Sequence, residues 1–172
     1  GYVKALRSGK VDGKAKPTVK NLTPAVIQVD GNGCFAPLAQ AVGLPLLADA
    51  TGKIGIAALS LIGIHHFAAL WPETEYMADR GFVGLACTAY MPMVAPAGSK
   101  DALFGTNPIS FAWPRPGHGP VVYDMATAAM AMGDVQIAAR DGRQVPPGTG
   151  LDADGNPSND PAAIAKGVLL PF

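Results

Sequence analysis

The sequence lacks the signals of proteins that enter or cross a membrane. No run of uninterrupted apolar residues is long enough to span a bilayer, which takes about 20 residues. The chain starts with polar and basic residues and has no apolar segment behind them, so no signal peptide is predicted. We therefore expect a soluble protein of the cytoplasm with no membrane partner.

Cysteine is also scarce, and this excludes two kinds of stabilised scaffold. The only two cysteines, Cys34 and Cys87, lie in apolar stretches and form no CxxC or His/Cys cluster. We expect buried free thiols, no disulfide framework and no metal site. The segment Asp152-Ala153-Asp154-Gly155-Asn156 superficially resembles a calcium loop, but Pro161 stands where the closing Glu would be needed.

Net charge is absent as well. Thirteen Lys and Arg residues balance thirteen Asp and Glu residues, which argues against a general nucleic-acid-binding protein. The first twenty residues carry six basic groups against Asp12 alone, a local charge of +5. Such a run could bind phosphate or an acidic partner, but a solvated terminal segment is the more common explanation.

Several catalytic and nucleotide-binding motifs are missing too. The sequence contains no GxGxxG, no GxxxxGK[ST] and no GxSxG. The usual dinucleotide fingerprint, the P-loop and the nucleophile elbow of serine hydrolases are thereby excluded.

The sequence is rich in apolar residues and in the turn-forming residues Gly and Pro. Hydrophobic residues make up 49%, and 21 Gly with 16 Pro divide the chain into short elements. The alternation of strand and helix patterns predicts an α/β fold with a mixed, largely buried sheet and helices on its faces. The predicted strands are 25–30, 54–59, 82–89, 109–113 and 121–124. The predicted helices are 2–6, 35–50, 73–80 and 127–139, with a short one opened by Asp160-Pro161; residues 10–24 form an extended connector and 31–33 a turn.

Two adjacent histidines, His65 and His66, follow an apolar run, at the end of a predicted sheet strand where ligand-binding residues commonly lie. Neighbouring residues of an extended segment point to opposite sides, so at most one would face a pocket. A core histidine bonded to a backbone carbonyl is the competing explanation.

Three further features could carry chemistry, although each has an ordinary structural explanation. Gly105-Thr106-Asn107-Pro108 predicts a turn that presents a hydroxyl, or simply a loop. Asp124 ends a predicted strand before a helix, where it could serve a ligand or cap the helix. Asp134 lies in an Ala/Met-rich helix, where a buried carboxylate would need a partner and an exposed one would not.

In their order along the chain, these features resemble the malate/L-lactate dehydrogenase-like family of oxidoreductases, across essentially all 172 residues. The GTNP and DMAT blocks at their mutual spacing are the most specific part of the resemblance. The blocks that carry it are Tyr2…Leu6…Gly9, Val29-Asp30-Gly31, His66-Phe67-Ala68-Ala69, Val94-Ala95-Pro96, Gly105-Thr106-Asn107-Pro108, Asp124-Met125-Ala126-Thr127 and Asp152-Ala153-Asp154-Gly155…Asp160-Pro161.

Within that family the segment 65–72, together with Thr88-Ala89-Tyr90 and Asp134, most resembles the Δ1-piperideine-2-carboxylate/Δ1-pyrroline-2-carboxylate reductases. The resemblance implies reduction of a cyclic imino acid to L-pipecolate or L-proline with NADPH, with NADH as the alternative cofactor. A malate-, lactate- or ureidoglycolate-type dehydrogenase of the same family is the alternative, and a non-catalytic chain is a second one.

The resemblance also implies a fold, a site and an assembly. The fold would be the non-Rossmann, L-sulfolactate dehydrogenase-like dinucleotide-binding domain, in an intertwined homodimer. Asp134 would orient a proton-donating histidine, in a Ser-His-Gly motif that the sequence does not contain, and Thr106 would contact the substrate. The residues implied to contact the cofactor are His66, Phe67, Ala68, Ala69, Leu70, Asp124, Met125 and Ala126.

The ends of the chain suggest an internal piece of a longer protein. It starts at Gly1 and stops just after the apolar pair Leu169-Leu170. We expect residues 1–24 to be the end of a missing N-terminal part and 25–172 to be an NAD(P)-binding and catalytic domain, incomplete at its C-terminus.

Overall fold

A computed structural model describes residues 2–172, which form five helices and nine strands. The helices are α1 (Tyr2–Arg7), α2 (Ala36–Ile54), α3 (Trp71–Ala78), α4 (Met132–Arg140) and α5 (Pro161–Ile164). The strands are β1 (Thr18–Thr23), β2 (Val26–Phe35), β3 (Ala58–His65), β4 (Gly84–Cys87), β5 (Ile109–Arg115), β6 (His118–Met125), β7 (Gly150–Leu151), β8 (Pro157–Ser158) and β9 (Val168–Leu169).

The chain divides into two compact units. The first comprises residues 1–85 and 111–123, and the second comprises residues 86–110 and 124–172. The division at residue 24 suggested by the sequence remains a prediction. No described helix is both long and apolar enough to cross a membrane.

The first unit is built on a mixed sheet in the order β1-β2-β3. β1 pairs antiparallel with β2, and β2 pairs parallel with β3 through the crossover helix α2. The helix lies close to the sheet because Gly43 faces Leu59, whose methyl carbons would be only 2.8 and 2.9 Å from a Cβ at that position. Ile27 and Val29 of β2 and Ala39 of α2 form the core beneath it.

A bulge in β2 sets the geometry at the ends of β2 and β3. The register of β2 against β3 shifts between Asp30 and Cys34 and then places Phe35 opposite His65. Within the bulge Asn32 has φ +50° and Gly33 has φ +85°, a left-handed conformation that Gly and Asn adopt most readily.

The second unit has a core of small and branched side chains around α4 and α5. Val135 of α4, Ile164 of α5 and Leu169 of β9 are completely buried there. A small antiparallel sheet in the order β8-β7-β9 lies beside them. The strands β4, β5 and β6 form a further sheet in that order, and the boundaries between the two units fall within these strands.

Two local signals were predicted correctly. Asp160 caps α5, because its carboxylate accepts a hydrogen bond from the Ala162 N–H at 2.9 Å. Gly81, at φ +82°, follows the end of α3 and allows the Phe82 N–H to bond back to the Met77 carbonyl.

The predicted strand 54–59 is wrong at its start, because α2 continues to Ile54 and ends on Gly55 in the left-handed conformation. The strand begins only at Ala58 and runs to His65. Pro45 lies on an exposed part of α2 and does not end it. Leu38 and Leu46 recur in the sequence at helical spacing, which predicts that they face the core, but both are exposed. The buried residues of α2 are Ala36, Ala39, Gly43 and Ala50.

The predicted connector 10–24 contains a strand, β1, at its end. The predicted turn 31–33 lies inside β2 as the bulge. Cys87 is exposed rather than buried; on the short strand β4 the buried position is that of Gly84, at the other end. Cys34 is buried, as predicted.

The predicted helix 127–139 is wrong over its first five residues, since α4 begins at Met132. The backbone before it pairs with the end of the chain. The Ala129 N–H donates to the Leu170 carbonyl at 2.9 Å, and the Phe172 N–H donates to the Thr127 carbonyl at 3.0 Å. These peptide groups are committed to long-range bonds and cannot also form helical ones.

A charged side chain holds the loop after β7. The Asp152 carboxylate accepts hydrogen bonds from the N–H groups of Asn156 at 2.9 Å and Asp154 at 3.0 Å. The bond from Asn156 is the largest reason that the pKa of Asp152 lies below its ordinary value. A carboxyl group whose pKa is lower in the folded state stabilises the fold above its unfolded pKa. That stabilisation is lost as the pH falls through the folded pKa.

We expect Asp152→Ala to lower the midpoint of thermal unfolding by a few degrees at neutral pH. The difference from the parent should shrink as the pH falls below the ordinary aspartate value of 3.8, because the parent then loses the same charge. Thermal unfolding followed by circular dichroism over a pH series measures this. Asp154→Ala, in the same loop, is the control, and a difference that stays constant with pH would contradict the assignment.

Candidate active site

Thr106 lies in a loop whose backbone is fixed on both sides. Gly105 is buried, and a Cβ there would be 2.5 Å from the carbonyl oxygen of Tyr90. Asn107 has φ +34°, and its side-chain oxygen accepts a hydrogen bond from the Tyr90 N–H at 3.0 Å. The loop therefore presents the half-buried Thr106 in a single backbone conformation.

The second candidate segment, Asp124 to Ala126, leaves the end of β6. Asp124 and Met125 are the last two residues of the strand, and all three are half-buried. The peptide groups of Ala126 make no hydrogen bond with any part of the chain from 2 to 172. The peptide groups of Ala126 are therefore available to hydrogen-bond a polar ligand.

Thr127 joins these two segments. Its N–H donates to the Thr106 carbonyl at 2.8 Å. Its hydroxyl Oγ1 lies 3.1 Å from the same carbonyl and 3.2 Å from that of Asn107. The GTNP and DMAT blocks, about twenty residues apart in the sequence, are thus in direct contact in the second unit.

Asp134 lies in the first turn of α4 and is exposed. Its carboxylate makes no hydrogen bond or ion pair with the described residues 2–172. Its place on the helix is fixed from the backbone, because its N–H donates to the Ala131 carbonyl at 3.0 Å. The carboxylate is therefore accessible to another group.

The remaining candidates, His66 to Leu70, belong to the first unit. His65 ends β3, and His66 follows at φ +59°, so the alternation expected of an extended pair does not hold there. The His66 ring packs against Tyr2 at 5.2 Å between centroids, and Tyr2 packs edge-on against Phe35 at 4.6 Å. Leu70 is only 1% exposed, so it anchors the segment within the first unit.

Sequence reasoning missed the two groups that hold these segments. The sequence indicates no role for Thr127 beyond its place in the DMAT block and does not connect the ring of Tyr2 with His66. Positive φ at a histidine has no sequence signal beyond a mild enrichment of that residue type. The Thr127 contact depends on chain segments that are distant in sequence.

The tight packing at Gly105 gives a prediction. Gly105→Ala would displace the Tyr90 carbonyl or the Thr106 loop, and misplacing a substrate-binding group by about 1 Å can cost on the order of a hundredfold in rate. Because the family resemblance implies that Thr106 contacts the substrate, we expect the KM for that substrate to rise at least about tenfold, with little change in cofactor affinity. Gly119→Ala is the matched control, since no atom lies within 4 Å of its added Cβ. Steady-state kinetics of the complete protein measure this. A KM that is unchanged in Gly105→Ala, as it should be in Gly119→Ala, would contradict a role of the Thr106 loop in substrate binding.

The fold and the joined blocks define an α/β protein without a Rossmann fingerprint, and comparison with known proteins gives its family. The family model described as malate/L-lactate dehydrogenase matches residues 1–172. The chain belongs to this malate/L-lactate dehydrogenase family.

Among curated proteins, the chain is 51% identical over 173 aligned residues to the Delta(1)-pyrroline-2-carboxylate/Delta(1)-piperideine-2-carboxylate reductase of Pseudomonas putida. It is 45% identical over 170 residues to Delta(1)-pyrroline-2-carboxylate reductase 2 of Burkholderia multivorans. These alignments cover 100% and 99% of this chain but only 51% and 50% of the relatives. The chain thus spans about half the length of the curated relatives it matches.

Solved structures confirm the predicted fold class. The delta1-piperideine-2-carboxylate reductase of Pseudomonas syringae pv. tomato matches with a TM-score of 0.95 and 49% identity, over 99% of this chain and 52% of that one. The sulfolactate dehydrogenase of Methanocaldococcus jannaschii matches with a TM-score of 0.86 and 29% identity, over 99% and 49%. The resemblance to a sulfolactate dehydrogenase-like fold is therefore confirmed.

Proposed function

We propose that the complete protein carrying this chain is an NADPH-dependent reductase of cyclic imino acids. Its substrates would be Δ1-piperideine-2-carboxylate, reduced to L-pipecolate, and Δ1-pyrroline-2-carboxylate, reduced to L-proline. The observation that carries the proposal is the direct contact between the Thr106 loop and the segment that follows Asp124. This contact supports a site in which neighbouring, hydrogen-bonded segments of backbone hold the substrate and the cofactor. The names of the relatives at 51% and 45% identity support the substrate class.

In this proposal the chain binds and orients both reactants. The Thr106 hydroxyl is a donor suited to the substrate carboxylate. The backbone of Asp124, Met125 and Ala126 holds the cofactor. We also propose that a second segment contacts the cofactor, which consists of His66, Phe67, Ala68, Ala69 and Leu70. When bound, the nicotinamide cofactor supplies a hydride for the imine carbon.

The imine nitrogen must gain a proton in the same reaction. The sequence contains only three histidines, His65, His66 and His118, and none lies in a Ser-His-Gly motif. We propose that the donor is a histidine outside this chain and that Asp134 is the positioning residue that orients it. A carboxylate beside an imidazole fixes its tautomer and stabilises the protonated form.

We also propose NADPH rather than NADH as the preferred cofactor, a homodimer as the working assembly and the cytoplasm as its location. Exposed apolar side chains on strands of the first unit suit a protein interface. Leu85 is 69% exposed, Trp113 54% and Tyr123 50%. Sedimentation velocity of the complete protein and kinetics with each cofactor test the first two proposals.

A panel of substrates tests the function. The complete protein would be assayed for NADPH oxidation with Δ1-piperideine-2-carboxylate, pyruvate and oxaloacetate, and for NAD(P)+ reduction with ureidoglycolate. We expect the imino acid to give the largest kcat/KM. A larger value for pyruvate, oxaloacetate or ureidoglycolate would identify a 2-hydroxy acid dehydrogenase instead, and no turnover with any of them would favour a non-catalytic role.

A further inference from the structure

The hydroxyl of Thr127 bridges the two ligand-binding segments. Thr127 directly follows the segment Asp124 to Ala126, and its Oγ1 reaches the carbonyls of Thr106 and Asn107 at 3.1 and 3.2 Å. A hydroxyl carries one proton, so it donates to these two oxygens as a shared or alternating bond. The Thr127 N–H adds a further bond to the Thr106 carbonyl.

The opposite side of the Thr106 loop is held independently. Asn107 receives the Tyr90 N–H on its side-chain oxygen, and the Thr88 N–H donates to the Pro108 carbonyl at 3.3 Å. These bonds tie the loop to the segment after β4 and do not reach the end of β6. The Thr127 hydroxyl is therefore a side-chain link between the loop and the Asp124 segment that the Tyr90 and Thr88 bonds do not duplicate.

The exposure of Thr127 matters for what this link does. The residue is exposed, so water competes for its hydroxyl while no ligand is bound, and the bridge is weak. A ligand that lies over either segment excludes that water and strengthens the bond to the two carbonyls. Strengthening it from one side holds the segment on the other side more firmly in its binding position before the second ligand arrives.

We infer that Thr127 is a positioning residue that makes cofactor binding and substrate binding depend on each other. The inference rests on the proposed function, because it takes Thr106 as the substrate contact and Asp124 to Ala126 as the cofactor contact. By linkage, the factor by which the cofactor raises the affinity for the substrate equals the factor by which the substrate raises that for the cofactor.

A dead-end complex measures this coupling without turnover. NADPH and L-pipecolate are both reduced, so no hydride can pass between them. Calorimetric titration of the complete protein gives the Kd for NADPH with and without saturating L-pipecolate, and the reverse titration checks reciprocity. We expect a coupling factor of about five or more in the parent protein, the lower end of ordinary allosteric coupling.

Three variants isolate the hydroxyl. Thr127→Val keeps the branched shape and the backbone N–H but removes the hydroxyl. Its coupling factor should fall at least about twofold, because the N–H bond to the Thr106 carbonyl then joins the two segments without the hydroxyl. Thr127→Ser restores the hydroxyl and should restore most of the coupling. Thr51→Val is the matched control, because it removes a hydroxyl-to-carbonyl bond of 2.8 Å within α2, and it should couple like the parent. The affinity for either ligand alone should change less than about threefold in Thr127→Val, because no direct ligand contact is removed.

The outcomes separate the inference from the function on which it rests. Parent-like coupling in Thr127→Val would overturn the inference, as would loss of coupling in Thr127→Ser or a parent that binds both ligands independently. In each of those cases the protein would still bind NADPH and reduce the imino acid. A parent that bound neither ligand would instead overturn the proposed function, and the inference with it.

Discussion

The 172-residue chain expressed alone is expected to show no measurable oxidation of NADPH with Δ1-piperideine-2-carboxylate. Reduction of the imine needs a hydride and a proton delivered in one geometry. A positioned acid contributes about 10² to 10⁴ in rate, and the Ser-His-Gly motif in which we propose the donor to lie does not occur in this sequence. The chain also spans only 51% of the Pseudomonas putida relative, and we propose that the rest of the complete protein supplies further cofactor contacts. Both losses act on the same transition state and should compound.

A longer polypeptide provides the control for this experiment. The same 172 residues, extended at both ends with the flanking parts of the Pseudomonas putida reductase, should regain NADPH oxidation in the same assay. Gel filtration of the isolated chain should show self-association through its exposed apolar strands. Robust turnover by the isolated chain would mean that a proton donor lies within it. His65, at the end of β3, would then be the first residue to test.

Asp134→Asn in the complete protein is expected to lower kcat by about a hundredfold, within the range that a positioned acid contributes. The amide keeps the size of the side chain on the first turn of α4 but removes the charge that would stabilise a protonated imidazole. Affinity for NADPH should stay nearly unchanged, because the carboxylate is proposed to act on the donor and not on the cofactor. Stopped-flow single turnovers, with NADPH affinity measured separately by fluorescence, distinguish the two effects.

The pH profile gives a readout that a structural role would not change. A nearby carboxylate raises the pKa of a histidine by favouring its charged form. Its removal should move the alkaline limb of kcat/KM to lower pH, because the donor then loses its proton earlier. Asp141→Asn, at the end of the same helix, should leave both turnover and profile unchanged. Parent-like turnover and an unshifted profile in Asp134→Asn would return Asp134 to the role of an exposed surface residue.

Features set by local sequence were predictable. Asp160 before Pro161 predicts the start of α5, and the structure shows the expected cap at 2.9 Å. Gly81 predicts the end of α3 in the same way. In these cases the residue type alone restricts the backbone, so no distant contact is needed.

Features that depend on tertiary pairing were not predictable. The Ala/Met-rich run from Thr127 looks helical, yet α4 starts only at Met132 because the preceding peptide groups bond to residues 170 and 172. In α2 the buried positions are small residues such as Gly43, not the periodic leucines, because the helix packs directly on Leu59. Likewise, the GTNP and DMAT blocks could be recognised, but their contact through Thr127 could not, since it joins segments about twenty residues apart.

The central claim is that the protein directs a hydride from nicotinamide to the carbon of a cyclic imine, and isotope transfer tests it most directly. The complete protein would be incubated with Δ1-piperideine-2-carboxylate and NADPH carrying deuterium at C4 on the transferred face, prepared separately for each face. Mass spectrometry and NMR of the product would locate the label. We predict that one of the two labelled cofactors gives L-pipecolate with a single deuterium at C2. Unlabelled pipecolate from both cofactors, or no pipecolate at all, would contradict the account.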